Sequence, residues 1–338
     1  MRRLLAMLLA VLLCLTLFAA CTKKGDPQTP PDGDQETPPP AEPVTVRIGG
    51  MTGPTGMGFA GLYKNAQENP EAYPYEFQIV ATADELTPNL ATGSLDVAAV
   101  PANLASVLYN NSEGEYRLLA VNTLGVLSIV DLNVGIETLE DLKGKTLYSA
   151  GKGSVPEYAL SYILAQNGFE EGDVTIEWKS EAGEIVALLN GSGEGVAMLP
   201  QPYVTVAQNQ LADLKIAIDL TEAWDALGVD SRMITGVLIG RKAFVEANPE
   251  AIDKLLEDYK ASIDYVNAQP AEAAQQIEAL NVAKAPIAQK AIPHCNLYFM
   301  QGAEMKEAMQ GYLQVLLDQN AKAVGGKLPD DAFYYAAN

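Results

Sequence analysis

Val97-Ala98-Ala99-Val100-Pro101, reached from Glu85-Leu86 through a helical stretch, is answered by Val196-Ala197-Met198-Leu199-Pro200, reached from Glu184-Ile185 through a similar one. The spacing is constant at 99 residues, from Glu85 to Glu184 and from Pro101 to Pro200. Carried backwards, it pairs Thr55 with Ser154, Tyr63 with Tyr162 and Gln67 with Gln166. In each copy a strand, residues 44–49 or 145–149, enters a glycine-rich turn and then a helix. One unit repeated in this way predicts two similar lobes facing a cleft, where small ligands bind. The alternative is two ordinary βα units that happen to align.

Outward from the repeat, strand-like and helix-like patterns alternate, which predicts an α/β fold with mostly parallel sheets. A second strand, residues 76–80, leads to a helix with Asp84 at its N-cap and Gly93 as its stop. Near Leu124 the chain crosses to the second lobe, and residues 234–239 bring it back. The expected organisation is residues 44–125 plus 234–338 for lobe I and 126–233 for lobe II, with a hinge at the two crossings. Asn248-Pro249-Glu250 opens a helix whose apolar residues, Ile252, Leu255, Leu256, Tyr259, Ile263 and Val266, recur at helical spacing. Further helices are expected from Gln269-Pro270 and over residues 304–319. These stretches read as scaffold.

The beginning of the chain carries export signals. Arg2 and Arg3 precede an apolar run over residues 4–20 that ends in small residues before Cys21, the pattern of a lipoprotein signal with Cys21 as lipidation site. Phe18 stands where Leu is more usual. The alternative is an uncleaved membrane anchor, because the run lies at the lower edge of a span. Residues 22–43 contain seven prolines and almost nothing apolar, a tether that cannot bury a core. A lipid-anchored protein on the extracytoplasmic face of the cell membrane is expected.

Composition removes several function classes. Formal net charge is −21, with 43 acidic against 22 basic residues, so nucleic acid is a poor partner. The three cysteines are Cys14 in the signal, Cys21 at the lipid and Cys295, so no internal disulfide is expected. His294 is the one histidine, which rules out a multi-histidine metal site. It adjoins Cys295, a pair that reads as a hinge feature before a catalytic one. Gly56-Met57-Gly58-Phe59-Ala60-Gly61 matches G-x-G-x-x-G but begins too far beyond its strand for a dinucleotide site. Gly151-Lys152-Gly153-Ser154 lacks the first glycine of a phosphate loop. No catalytic residue, metal or cofactor is expected, and the chain should be a monomer.

Three further segments carry a family resemblance: residues 93–101, Gly151-Lys152-Gly153-Ser154-Val155-Pro156, and Leu199-Pro200-Gln201-Pro202. With the helix pair opening at Asn248-Pro249 and Gln269-Pro270, the chain resembles the solute-binding proteins of bacterial ABC importers. The branch is the one that includes nitrate, taurine, alkanesulfonate and thiamine-pyrimidine binders, and the likeness covers residues 44–280. It implies a two-lobed periplasmic-binding-protein-like fold of type II. It also implies capture of a small solute for a membrane permease and its ATPase. Gln201-Pro202 departs from the Glu-Pro of many relatives and so removes a carboxylate. Two alternatives share the fold: a surface sensor, and thiamine-pyrimidine synthases, whose cysteine-rich motif this chain lacks.

Ligands of open α/β sheets sit beyond the C-terminal ends of strands. Four loops meet that description. Thr52, Gly53, Thr55 and Gly56 form the first, where glycines admit a ligand to the backbone; the alternative for Thr55 is a cap on its own helix. Asn103 follows the first buried strand. Gly151, Gly153 and Ser154 form the third loop, and Gln201 and Tyr203 the fourth. Asn122, near the crossover, completes the candidates. Such neutral donors suit a small anion (a sulfonate, nitrate or carboxylate) or a pyrimidine-like ring.

Overall fold

The computed structural model describes residues 44–336, so the expected signal, Cys21 and the tether lie outside the described residues. Eleven strands among the described residues fall into two sheets. β1 (Val46–Met51), β2 (Tyr75–Val80), β3 (Val97–Pro101) and β4 (Tyr116–Leu124) belong to the first. β5 (Leu127–Leu132), β6 (Thr146–Ala150), β7 (Thr175–Lys179), β8 (Gly195–Pro200) and β9 (Lys215–Asp219) make the second. β10 (Ile234–Arg241) and β11 (Leu297–Met300) rejoin the first. The orders are β11-β4-β10-β3-β1-β2 and β7-β6-β8-β5-β9.

The two sheets repeat each other in register as well as in sequence. Val46 pairs with Tyr75 and Thr146 with Thr175, 29 residues apart in both lobes. Ile48 pairs with Val97 and Leu147 with Val196, 49 apart in both. β3 and β8 are apolar almost throughout and buried along most of their length, as central strands covered on both faces must be.

Each sheet is mixed, a refinement of the mostly parallel arrangement expected. β1 to β4 point one way, and β6 to β9 do the same in their own sheet. β11, antiparallel to β4 at the edge of the first sheet, is reversed, and so are two interior strands, β10 between β3 and β4 and β5 between β8 and β9. Both interior strands come from the other lobe. Where strand C-termini of two lobes face one cleft, a chain stepping across it enters the second sheet at that edge and runs backwards.

Local structure follows the sequence with named exceptions. The helix Pro249–Ala268 buries all six residues of the expected stripe. Asn248 does not cap it, because its amide donates to Phe244 O at 2.9 Å. The helix expected after the first glycine-rich turn is two pieces, Pro54–Met57 and Ala60–Glu68, because Gly58 and Phe59 close the first turn separately. Gly58 lies against the Tyr259 ring, where a Cβ would come within 3.1 Å of its hydroxyl. The helix expected at Asp84 begins at Ala83, and Thr82 Oγ1 bonds Glu85 Oε1 at 3.0 Å in its first turn.

A buried charge cluster holds the end of β3 away from the cleft. Asp96 is 0% exposed and accepts from Arg47 Nε at 2.8 Å, Arg47 Nη2 at 2.6 Å and Arg241 Nη2 at 3.0 Å. The lobes also share an apolar bridge. On the side of the second sheet Trp224 lies 4.8 Å from the Tyr162 ring, and it meets Tyr312, on the helix Gly302–Gln319, at a ring separation of 5.9 Å. That helix packs on β4 and on the helix Ala102–Asn111, so the bridge continues into the core of the first sheet.

Candidate functional site

The second sheet ends at a cavity that the first sheet closes. Gln201 follows β8, and Asp219 and Thr221 stand where β9 enters the helix Leu220–Asp225. Gly125, Val126 and Ser128 come from the crossover, and His294 and Asn296 from the turn before β11. Together they line a space of about 310 Å³. The volume suits a small molecule.

The polar groups of this cavity are held in defined states. Gln201 is 4% exposed, and its Oε1 accepts from Thr205 Oγ1 at 2.9 Å. Its backbone N–H donates to Val126 O at 3.1 Å, which fixes the residue against the crossover. The Gln201 amide nitrogen has no partner among the described residues. Ser128 is 7% exposed, and its hydroxyl likewise has none. Asn296 spends its amide N–H on Gly125 O at 3.1 Å and keeps its oxygen free. Asp219 Oδ1 caps the following helix, accepting from Thr221 N at 2.7 Å and Glu222 N at 3.2 Å. No lysine or arginine lines the cavity.

The other residues expected from sequence have several fates. β1 runs to Met51 and a helix starts at Pro54, which shortens the first loop to Thr52 and Gly53. Gly53, at φ 116°, is the N-cap position, and Thr55 lies inside the helix, so Thr55 does not cap it. Thr55 is buried against Gly236, and Gly56 admits no Cβ because one would strike the Met51 carbonyl. Asn122 Nδ2 donates to Tyr259 OH at 3.0 Å and Asn122 Oδ1 accepts from Thr123 Oγ1 at 3.0 Å, so both ends of its amide are occupied. Asn103 does not line the cavity described above. It is turned to the C-terminal segment, donating to Ala323 O at 3.3 Å beside Ser106, which donates to Val324 O at 2.8 Å.

In the third loop Gly151 and Gly153 hold φ of 85° and 76°, which favour glycine. Gly153 N–H is taken by the chain's own Glu157 carboxylate. Ser154 is the N-cap residue of the helix Val155–Gln166 but makes no side-chain cap bond. Tyr203 is half-buried beside Gly183, and burial, helped by Glu181, pushes its phenol above the usual range. Gln201 is thus the one expected residue that lines this cavity. Ser128, Asp219, Thr221 and Asn296 were not found from sequence, because they lie outside the repeated landmarks and meet only when the lobes do. His294 and Cys295 part company: His294 faces the cavity, while Cys295 is buried with its sulfur 3.6 Å from that of Met57.

Known proteins resemble this arrangement as a whole. An ABC-transporter structure from Parabacteroides distasonis superposes with a TM-score of 0.72 at 23% identity, over 87% of this chain and 99% of that one. The chain has the two-lobed fold of ABC-importer binding components. The periplasmic aliphatic sulphonate binding protein SsuA of Escherichia coli gives a TM-score of 0.71 at 16% identity, over 88% and 93%. The periplasmic nitrate-binding protein NrtA of Synechocystis PCC 6803 gives 0.61 at 15%, over 84% of each. In sequence, the family described as NMT1/THI5 like matches residues 116–273, just under half of the chain. A curated binding protein of Brucella abortus is 22% identical over 181 residues. The match takes in 54% of each, so the chain spans about half the length of the curated relatives it matches.

Proposed function

We propose that this protein is the extracytoplasmic solute-binding component of an ABC importer, holding a small polar solute between its lobes for a permease and its ATPase. The observation that carries this role is the interlobe cavity at the C-terminal ends of β8 and β9, where Gln201 and Ser128, little exposed as residues, each bring to the lining a polar group that no described residue answers. A ligand that enters replaces the water at these groups with its own hydrogen bonds. Thr52, Gly53, Thr55, Gly151, Ser154 and Tyr203 are proposed to border the same ligand when the lobes close further. The lobes are assigned as residues 44–125 with 234–338, and 126–233, since the two crossings connect β4 to β5 and β9 to β10.

The remaining parts of the role rest on the sequence. The lipoprotein pattern at Cys21 and the proline-rich stretch after it support a tethered monomer on the outer face of the cell membrane. The protein is proposed to bind without turnover. Cys295, the cysteine beside the single histidine, is buried and turned from the cavity, which leaves the pair unsuited to nucleophilic chemistry.

The test is a thermal-shift screen of the full chain against sulfonates, nitrate, carboxylates, amines and pyrimidines. A ligand at a hundred times its Kd adds about 2.7 kcal/mol of stability. Gln201→Ala should weaken a hit by roughly tenfold, the worth of one buried hydrogen bond to a ligand. A flat screen, together with no small molecule retained in native mass spectra of the purified protein, would remove this role.

A further inference from the structure

The chemistry of the cavity wall is one-sided. Asp219 and Glu222 line it together with the imidazole of His294, and no lysine or arginine of the described residues does. Asp219 uses Oδ1 for its helix cap and leaves Oδ2 uncommitted, while the Glu222 carboxylate has no hydrogen bond to the described residues. Asn296 offers a free oxygen, since its N–H is held by Gly125. Acceptors therefore crowd the side made by β9 and the turn before β11. Gln201, more than nine-tenths buried, presents an unpartnered N–H donor from β8.

An oxyanion meets poor conditions on the neighbouring loops as well. The Gly153 N–H, at the start of the helix Val155–Gln166, is already answered by Glu157. The first loop opens a helix of only four residues. Lys152 is the one basic side chain in these loops and is exposed. A net charge of −21 adds a field of the same sign.

We infer that the cavity takes a small organic cation, its amine or amidine nitrogen set between Asp219 and Glu222 and a hydrogen-bond acceptor of the ligand on Gln201, an assignment that rests on the solute-binding role proposed above. Specificity against sulfonates and nitrate then comes from repulsion by the two carboxylates, with no lysine or arginine in the lining to offset it. Their exposure to solvent sets the scale, because exposed charge pairs contribute little each.

Titration calorimetry of the full chain with 1,4-diaminobutane and benzamidine, against butane-1-sulfonate and nitrate, tests this. At least one cation should bind and both anions should not. Glu222→Gln, on the surface, and Asp219→Asn, which keeps a capping oxygen, should each weaken the cation by roughly threefold to tenfold. Both variants should melt as wild type does. An anion whose binding is lost in Gln201→Ala would overturn the cation assignment and leave the solute-binding role standing. Failure of both cations to bind, or equal affinity in the double variant, would overturn it too. The role itself would then be judged by the retained small molecule in native mass spectra.

Discussion

Lys290 Nζ donates to Asn209 Oδ1 at 2.7 Å, joining the helix Ala285–Ala291, which packs in the core of the first lobe, to the helix Tyr203–Gln210 of the second. Both side chains are exposed. The Tyr162–Trp224–Tyr312 contact also joins the lobes, but it is an apolar one around a fully buried indole. The two links should respond differently to mutation.

Lys290→Ala should lower stability by less than about 1 kcal/mol, because an exposed bond is replaced by water. Its effect should instead appear as faster hydrogen exchange in residues 285–291 and 203–210. A loss above about 2 kcal/mol in urea unfolding would contradict the assignment of this bond as a weak link.

Trp224→Ala should cost about 3–5 kcal/mol, since it empties the centre of the apolar bridge and frees Ser231 O from the indole N–H, now 3.0 Å away. Trp224→Phe should cost less, keeping the ring while losing that bond. Equal losses in both variants would mean that the bond, and not the packing, holds the bridge.

Gly236→Ala should destabilise by about 1–3 kcal/mol. A Cβ at this position would strike Thr55 Cγ2 and come within 2.6 Å of Asn122 Oδ1. Asn122 cannot yield easily, because Tyr259 and Thr123 hold both ends of its amide. Unchanged melting would show that the first loop moves freely. A companion change, Thr55→Ser, should recover part of the loss by removing the clashing methyl.

Asp96 predicts the acid limit of the fold. Burial opposes its charge, but the bonds from the Arg47 side chain and backbone and from Arg241 outweigh burial and hold the carboxyl below the usual aspartate range. A lowered folded value means that the contribution is complete above the unfolded value of about 3.9 and is lost as pH falls through the folded one. Asp96→Asn should therefore cost about 2–4 kcal/mol at neutral pH, and the difference from wild type should shrink in urea titrations carried down to about pH 2. A gap that stays constant over this range would exclude the ion cluster as its source.

The Cys295 thiol should be inert in the native state. Burial pushes it up to about 12 and its sulfur faces that of Met57. Labelling at about pH 8 followed by mass mapping should leave the Cys295 peptide unmodified until denaturant is added, because the thiolate is the reactive form. Rapid native labelling would mean that the first-lobe core opens on its own.

Strand-to-strand distances along the chain made the architecture legible. Val97–Pro101 and Val196–Pro200 are buried runs bounded by turns, and their spacing survives as identical registers in the two sheets. Of the residues expected from sequence, Gln201, one residue beyond a landmark strand, is the one that lines the cavity described here. Asn103 stands at the matching place in the first lobe, yet the C-terminal segment claims it. Nothing near Asn103 in sequence announces a partner 220 residues away.

The sequence by itself determined the α/β class, the paired units and the crossings, because hydrophobic period and turn chemistry act between near neighbours along the chain. Tertiary structure alone decided which polar groups remain unsatisfied. Asn122 is consumed by Tyr259, and Asn103 gives its N–H to Ala323 while its oxygen stays without a partner; Gln201 and Ser128 keep free groups beside Asp219. Hydrogen-bond satisfaction here depends on distances of about 3 Å between residues far apart along the chain, and such distances exist only once the chain has folded.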